Sequence, residues 1–216
     1  MGKISNRESL EALFASKGRD PWGYEAASIQ GRLRDSAAFI AAHVPKKFAG
    51  QFIEIGAFNG AFTKVLREKF PRAAICVNDI TPVALDQARE ALRGYQGIDF
   101  VESDLMDLSP ERTKTGERQV VLLLLECLYY MGVAEREQAV GKLIASYPHA
   151  SVAISGPITG PPYFTEDWLV STFARYGFVR VAQRRVSPSN QVIFWFARQD
   201  AATSSGGRWR FGWWRR

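Results

Sequence analysis

Phe52-Ile-Glu-Ile-Gly-Ala-Phe-Asn-Gly60 is the stretch on which the reading of this chain turns. An apolar strand, Phe52 to Ile55, runs into a turn holding Gly56 and Gly60. A helix follows from about Ala61, with Phe62, Val65, Leu66 and Phe70 at helical spacing on one face. Strand, glycine turn and helix form the first half of a nucleotide-binding βαβ unit. Glycines there let backbone approach a ligand closely, because they lack Cβ. The G-x-x-x-G spacing differs from the dinucleotide pattern G-x-G-x-x-G, and Phe58 stands near the place of a middle glycine. Glu54, an acid at the tip of the first strand, suits a ligand with a cation there rather than a pyrophosphate.

Outward from this turn, strands and helices alternate. Ala73 to Val77 reads as a second strand, ending in Asn78-Asp79. Thr81 and Pro82 open a helix by cap chemistry, and Gly94 stops it. Ile98 to Val101 is a third strand, with Ser103-Asp104 beyond it. Residues 106–118 show little periodicity. Gln119 to Leu125 is a continuous apolar run, as in a strand buried on both faces. Glu135 to Ser146 is a helix, Ser151 to Ser155 a fifth strand, and Thr165 caps the helix that Gly177 closes. Phe178–Val186 and Gln191–Ala197 flank Ser187-Pro188-Ser189-Asn190, a hairpin signal. Five alternations and a hairpin predict an α/β protein: a Rossmann-like doubly wound sheet of seven strands, mostly parallel, with a C-terminal antiparallel hairpin strand. Before the first strand, Arg7 to Ser16 and Ala26 to His43 favour helix, around a knobbly turn at Asp20-Pro21-Trp22-Gly23-Tyr24. The expected organisation is an N-terminal helical lid over 1–48, a ligand-binding domain over 49–200, and a basic aromatic tail over 201–216.

Composition sets outer bounds. The chain has 216 residues, 46% hydrophobic and 23% charged, as expected of one globular domain. No run of about 18 apolar residues predicts a membrane span. The polar N-terminus lacks a signal-peptide core, and Ser5 falls one position early for acylation at Gly2. Cys76 and Cys127 sit in or beside apolar runs and read as small buried residues, which suits the cytoplasm. Net charge is +6, but residues 201–216 carry four arginines and no acid, leaving the body at +2. A near-neutral body argues against a large nucleic-acid groove. No metal-ligand pattern stands out, and neither His43 nor His149 is placed for chemistry; both read as surface or capping residues.

In an open parallel sheet, ligands bind beyond the carboxyl ends of the strands, where strand order reverses. Glu54, Asp79, Asp104 and Glu126 occupy four successive strand ends. Asp79 lies where a carboxylate accepts hydrogen bonds from ribose hydroxyls. Asp104 suits an adenine amino group, and Glu54 an ammonium. A ligand with adenosine, an ammonium and little negative charge is S-adenosylmethionine; the phosphates of NAD would meet repulsion here.

These residues carry a resemblance. Asp20-Pro21-Trp22, Glu54 to Thr63, Asp79, Ser103-Asp104 and Glu126-Cys-Leu-Tyr-Tyr130 resemble the class I S-adenosylmethionine-dependent methyltransferases over roughly residues 20–198. Within them, the chain is similar to the nodulation-type N-methyltransferases, small rhizobial enzymes that methylate an amino sugar. The resemblance implies that Glu54, Gly56 and Gly60, with Ala57 and Phe58, hold the methionine end. It places Asp79, with Ile80, at the ribose, and Asp104 with Leu105 at the adenine. Trp22 and Tyr24 would lie in the lid. Glu126, Tyr129 and Tyr130 follow strand four as candidate catalytic groups; Glu126 would serve as a base or touch the cofactor's ammonium, and the tyrosines would help or merely wall the pocket.

Methyl transfer asks mainly for alignment and exclusion of water. The expected acceptor is a small molecule, with an amine nitrogen first and a hydroxyl or carboxyl oxygen second. A non-catalytic cofactor-binding protein and an RNA methyltransferase using the Arg208–Arg216 tail are the rival readings. Pro161-Pro162-Tyr163 echoes a base-stacking motif of nucleic-acid methyltransferases, but it follows strand five rather than four and reads as a coincidental loop.

Overall fold

Every apolar run named above becomes a strand in the computed structural model, which describes residues 7–24, 26–186 and 191–199. The turn at 187–190, the Gly2 and Ser5 positions and the Arg/Trp tail of 201–216 lie outside the described residues. In chain order the elements are α1 (Arg7–Lys17), α2 (Ala27–Ala41), β1 (Gln51–Ile55), α3 (Ala61–Lys69), β2 (Ala74–Asp79), α4 (Pro82–Ala91), β3 (Ile98–Glu102) and β4 (Val120–Leu125). Then follow α5 (Val133–Ser146), β5 (Ser151–Pro157), α6 (Glu166–Ala174), β6 (Phe178–Val186) and β7 (Gln191–Arg198). Short 3-10 turns cover Leu105–Asp107 and Leu128–Tyr130.

The seven strands form one sheet in the order β3-β2-β1-β4-β5-β7-β6. β1 pairs in parallel with both β2 and β4, so strand order reverses there. β7 runs antiparallel to its neighbours β5 and β6. The reason for a sheet covered on both faces is visible along β4. Val121 and Leu123 join one apolar cluster, with Phe52 of β1, Leu66 of α3 and Leu85 of α4. Leu122 and Leu124 join the other, with Ile53 of β1, Leu143 of α5 and Phe173 of α6. All are essentially solvent-free, and burying each such side chain is worth about 1.5–3 kcal/mol. Thr81 accepts from the Ala84 N–H at 3.4 Å, with Pro82 in the first turn of α4, and Thr165 accepts from Trp168 N–H at 3.1 Å. Both caps are those the sequence predicts.

The N-terminal segment divides. α2 packs into the core through Leu33, Ala37 and Ile40. It is a structural layer of the domain, because its apolar stripe is consumed by the sheet. α1 and the 20–24 turn are what cover the strand ends. Phe14 stacks on Phe58, ring centroids 5.6 Å apart, and meets Trp22 edge-on at 5.7 Å. The histidines also separate. His149 is exposed, whereas His43 is half-buried between Phe39 and Trp195, with Nδ1 2.8 Å from the Phe39 carbonyl. His43 thus serves the end of α2, the capping alternative read from the sequence, and burial lowers its pKa.

Candidate active site

A cavity of about 360 Å³ opens over the carboxyl ends of β1 to β4, at the reversal of strand order. Its floor comes from the residues just past each strand: Gly56 after β1, Ile80 after β2, Asp104 after β3 and Glu126 after β4. Phe14, Trp22 and Tyr24 roof it. Of the residues expected at a cofactor or a reacting group, Trp22, Tyr24, Gly56, Phe58, Asp79, Ile80, Asp104, Leu105, Glu126, Tyr129 and Tyr130 line this one space. Glu54, Ala57 and Gly60 do not.

The three outliers have physical reasons. Glu54 is buried within β1, and Oε2 accepts from Thr63 Oγ1 at 2.6 Å. Burial pushes its carboxyl up to about 8, against the Thr63 hydrogen bond and with a small contribution from Asp79. Gly60 is in the left-handed region at φ 74°, and a Cβ there would come within 2.9 Å of Leu92 Cδ1 and 3.3 Å of Ala88. It permits close packing of α4. Gly56 does face the cavity, although a Cβ on it would meet Cys127 Cβ at 2.8 Å. Ala57 is buried in the core, its N–H bonded to the Asn78 carbonyl at 3.0 Å.

Asp79 is held by its neighbours. Oδ1 accepts from Thr81 N–H at 2.9 Å and Thr81 Oγ1 at 3.0 Å, and Oδ2 accepts from Phe58 N–H at 3.0 Å. A carboxylate offers about four lone-pair directions, so these three bonds leave capacity on Oδ2. Burial raises the Asp79 pKa, and the backbone donors of Thr81 and Phe58 oppose it. Asp104 caps the turn after β3, its Oδ1 accepting from Met106 N–H at 2.7 Å. Asn78 ties β2 to the same loop through Nδ2, which donates to the Val101 and Ser103 carbonyls at 3.1 and 2.9 Å.

Glu126 has φ 59°, an uncommon conformation for a residue with a side chain. Its N–H donates to the Ser155 carbonyl at 3.1 Å. Its Oε2 accepts from Arg32 Nη1 and from Gln191 Nε2, each at 2.6 Å. Burial raises its pKa; the Arg32 charge and the Gln191 hydrogen bond oppose that. Tyr129 and Tyr130 stack at a tilt, centroids 4.7 Å apart, and Tyr130 meets Trp22 at 6.4 Å. Burial raises the phenol pKa of Tyr24, Tyr129 and Tyr130, so all three stay neutral hydroxyls near pH 7. Tyr163 sits edge-on to Tyr129 at 5.3 Å and is not among the lining residues. The Pro-Pro-Tyr loop thus stands behind the wall.

Sequence reasoning overlooked Arg32, Gln191 and Thr63. The signal for Arg32 was its place on α2 between Ile29 and Ser36, a charge on the inward stripe. Gln191 and Thr63 had none, since their roles arise from strand pairing and from the α3 packing angle. Among the described residues, no helix is long and apolar enough to cross a membrane, and no cluster of His, Cys, Asp or Glu is placed to hold a metal ion.

A seven-stranded sheet in this order, with β7 reversed and a cavity over β1 and β4, is the class I methyltransferase fold. The chain belongs to the nodulation protein S (NodS) family, whose sequence profile matches residues 5–149. It is 30% identical over 126 residues to nodulation protein S of Rhizobium tropici, an alignment covering 58% of this chain and 49% of that protein. It is 24% identical over 86 residues to malonyl-[acyl-carrier protein] O-methyltransferase 1 of Ilyobacter polytropus, covering 40% of this chain and 31% of that one. The chain therefore matches about half, or less, of the length of these curated relatives. Among solved structures, it is similar to the N-methyltransferase NodS of Bradyrhizobium japonicum WM9 in complex with S-adenosyl-L-homocysteine, with TM-score 0.71 and 16% identity over 89% of this chain and 98% of that one. Similar too is the magnesium protoporphyrin IX methyltransferase of Synechocystis PCC 6803 with bound S-adenosylmethionine, with TM-score 0.72 and 16% identity over 92% and 99% of the two chains.

Proposed function

We propose that this protein is an S-adenosylmethionine-dependent methyltransferase acting on a small-molecule acceptor, with an amine nitrogen as the methylated atom. The observation that carries this is the charge of the cavity. Asp79, Asp104 and Glu126 line it, and the cation among its lining residues, Arg32, is already paired with Glu126. Such a space favours a cationic donor and a product that gains positive charge, and it disfavours phosphates. Membership of the nodulation protein S family supports the same reading.

S-adenosylmethionine, when bound, supplies a methyl group on a sulfonium. Asp79 would take a ribose hydroxyl on its remaining lone pair, and Asp104 with the apolar faces of Ile80 and Leu105 would hold the adenine. Gly56 and Phe58 would lie beside the methionine end, with Glu54 beneath it. An amine acceptor that received this methyl group would gain positive charge and have a proton to lose. Glu126 would stabilise that charge and receive the departing proton, while Tyr129 and Tyr130 wall the acceptor and Trp22 excludes water. A cytoplasmic location goes with this reading, because Cys76 and Cys127 are free thiols.

Transfer to oxygen is the second reading, favoured by the similarity to an O-methyltransferase. Calorimetric titration with S-adenosylmethionine, followed by labelled-methyl transfer to amine and hydroxyl panels, tests both. Binding and amine methylation are expected. No binding, or an Asp79→Ala variant indistinguishable from the parent, would overturn the proposal.

A further inference from the structure

We infer that Arg32 and Gln191 are positioning residues that hold Glu126 ionised and fixed in aim at the acceptor side of the cavity. The inference deepens the methyl-transfer reading and rests on it for the role of Glu126. Three separate elements meet at one carboxylate oxygen: α2 brings Arg32, the start of β7 brings Gln191, and the residue after β4 is Glu126 itself. These residues are 94 and 65 positions from Glu126 in the chain, so only the tertiary fold assembles them.

The arrangement is rigid on every side. α2 is anchored by the core residues Leu33, Ala37 and Ile40, so Arg32 projects from a fixed helix. Gln191 pairs with Pro157 at the end of β5 and with Val186 of β6. Glu126 pays for its place with a strained backbone at φ 59°, a cost that persists where surrounding structure over-determines a residue. Both charged side chains are nearly buried, Arg32 at 11% and Glu126 at 15% exposure. A carboxylate so placed and left alone would take up a proton, because desolvation disfavours its charged form. A guanidinium at 2.6 Å opposes that preference, as does the Gln191 hydrogen bond. Both bonds reach Oε2, which leaves Oε1 to meet a nitrogen in the cavity.

The other groups that face Glu126 do not compete for this role. Tyr24, Tyr129 and Tyr130 are raised by burial and stay protonated, and burial pushes the Cys127 thiol up to about 12. Glu54 keeps its own proton at neutral pH, because burial pushes its carboxyl up to about 8.

The test is the titration of the Glu126 carboxyl by carbon-13 NMR in the full chain without cofactor, with Glu126→Gln assigning the signal. Arg32→Met is expected to raise the midpoint by about one to three units. Arg32→Lys should restore most of that shift, since the contact needs charge at one nitrogen. Gln191→Met should raise the midpoint by less. An unchanged midpoint in Arg32→Met, or a lysine variant displaced as far as the methionine one, would overturn the inference. Should Arg32→Met fail to fold, Gln191→Met decides: a midpoint equal to the parent's would overturn it. Calorimetry with S-adenosylhomocysteine on the parent separates the two claims, because absent binding would sink the methyltransferase reading and leave the carboxyl titration as measured.

Discussion

The backbone N–H of Phe58 lies 3.0 Å from Oδ2 of Asp79, joining the turn after β1 to the end of β2. The Phe58 ring points the other way. It meets Trp22 edge-on at 4.8 Å and Tyr24 at 5.3 Å, and it stacks on Phe14. One residue thus fixes the floor through its backbone and the roof through its side chain.

Phe58→Ala should therefore destabilise the fold by about 3–5 kcal/mol, the usual cost of losing a buried ring. It should also weaken cofactor binding, because the roof loses its anchor. Phe58→Gly loses the same ring but relieves the left-handed backbone at φ 50°. Glycine should be the more stable of the two by about 1 kcal/mol. Urea unfolding of both variants checks the order, and full affinity and activity in Phe58→Gly would refute the anchoring role.

Glu54 makes stability depend on pH. Its carboxyl is raised from 4.5 to about 8 in the folded state. The folded protein keeps a proton that the unfolded chain has released, so the contribution is full below pH 4.5, declines through the interval and is gone above about 8. Glu54→Gln should flatten that decline, leaving the same-sign contributions of Asp79 and Glu126. Urea midpoints from pH 5 to 8.5 measure it, and parallel curves for parent and variant would count against the buried acid.

Asp79→Asn tests hydrogen-bond polarity rather than size. An amide can accept from Thr81 on its oxygen, but its NH₂ then faces the Phe58 N–H, donor against donor. The expected cost is about 1–3 kcal/mol of stability. Cofactor affinity should fall by about 10- to 100-fold, as for a lost hydrogen bond to a charged group. Thermal melts and calorimetry read the two effects separately.

Arg136 holds the Tyr129 wall of the cavity from behind. Its guanidinium donates to the Met131 and Tyr129 carbonyls at 2.8 Å each, to Tyr163 at 3.3 Å and to Pro162, and it lies over the Phe164 ring at 5.3 Å. Arg136→Met would leave several partly buried carbonyls without this donor, each costing about 1–3 kcal/mol where water cannot replace it. Hydrogen exchange should quicken at 128–131 and 160–164 while β1 and β2 stay protected. Uniform change, or none, would remove Arg136 from this role.

The βαβ alternation, both threonine caps and the terminal hairpin were legible because they depend on residues close in sequence. The four acids were legible because each stands in or shortly after an apolar run. Three of them line the cavity, while Glu54 lies one pleat deeper, and no pattern along β1 announces that step. The contact of His43 with Trp195 was hidden for a similar reason, since it joins residues far apart in the chain.

The reversal of strand order at β1 came from strand pairing. The sequence by itself determined the order of strands and helices and which residue types stand near each strand end. Periodicity and turn chemistry act locally, so the chain carries that information in short windows. Only the tertiary structure decided that Gly60 serves helix packing, that Phe58 joins floor to roof, and that Arg32 and Gln191 converge on Glu126. Those relations need three-dimensional closeness between distant segments. It is set by how both faces of the sheet bury their apolar stripes.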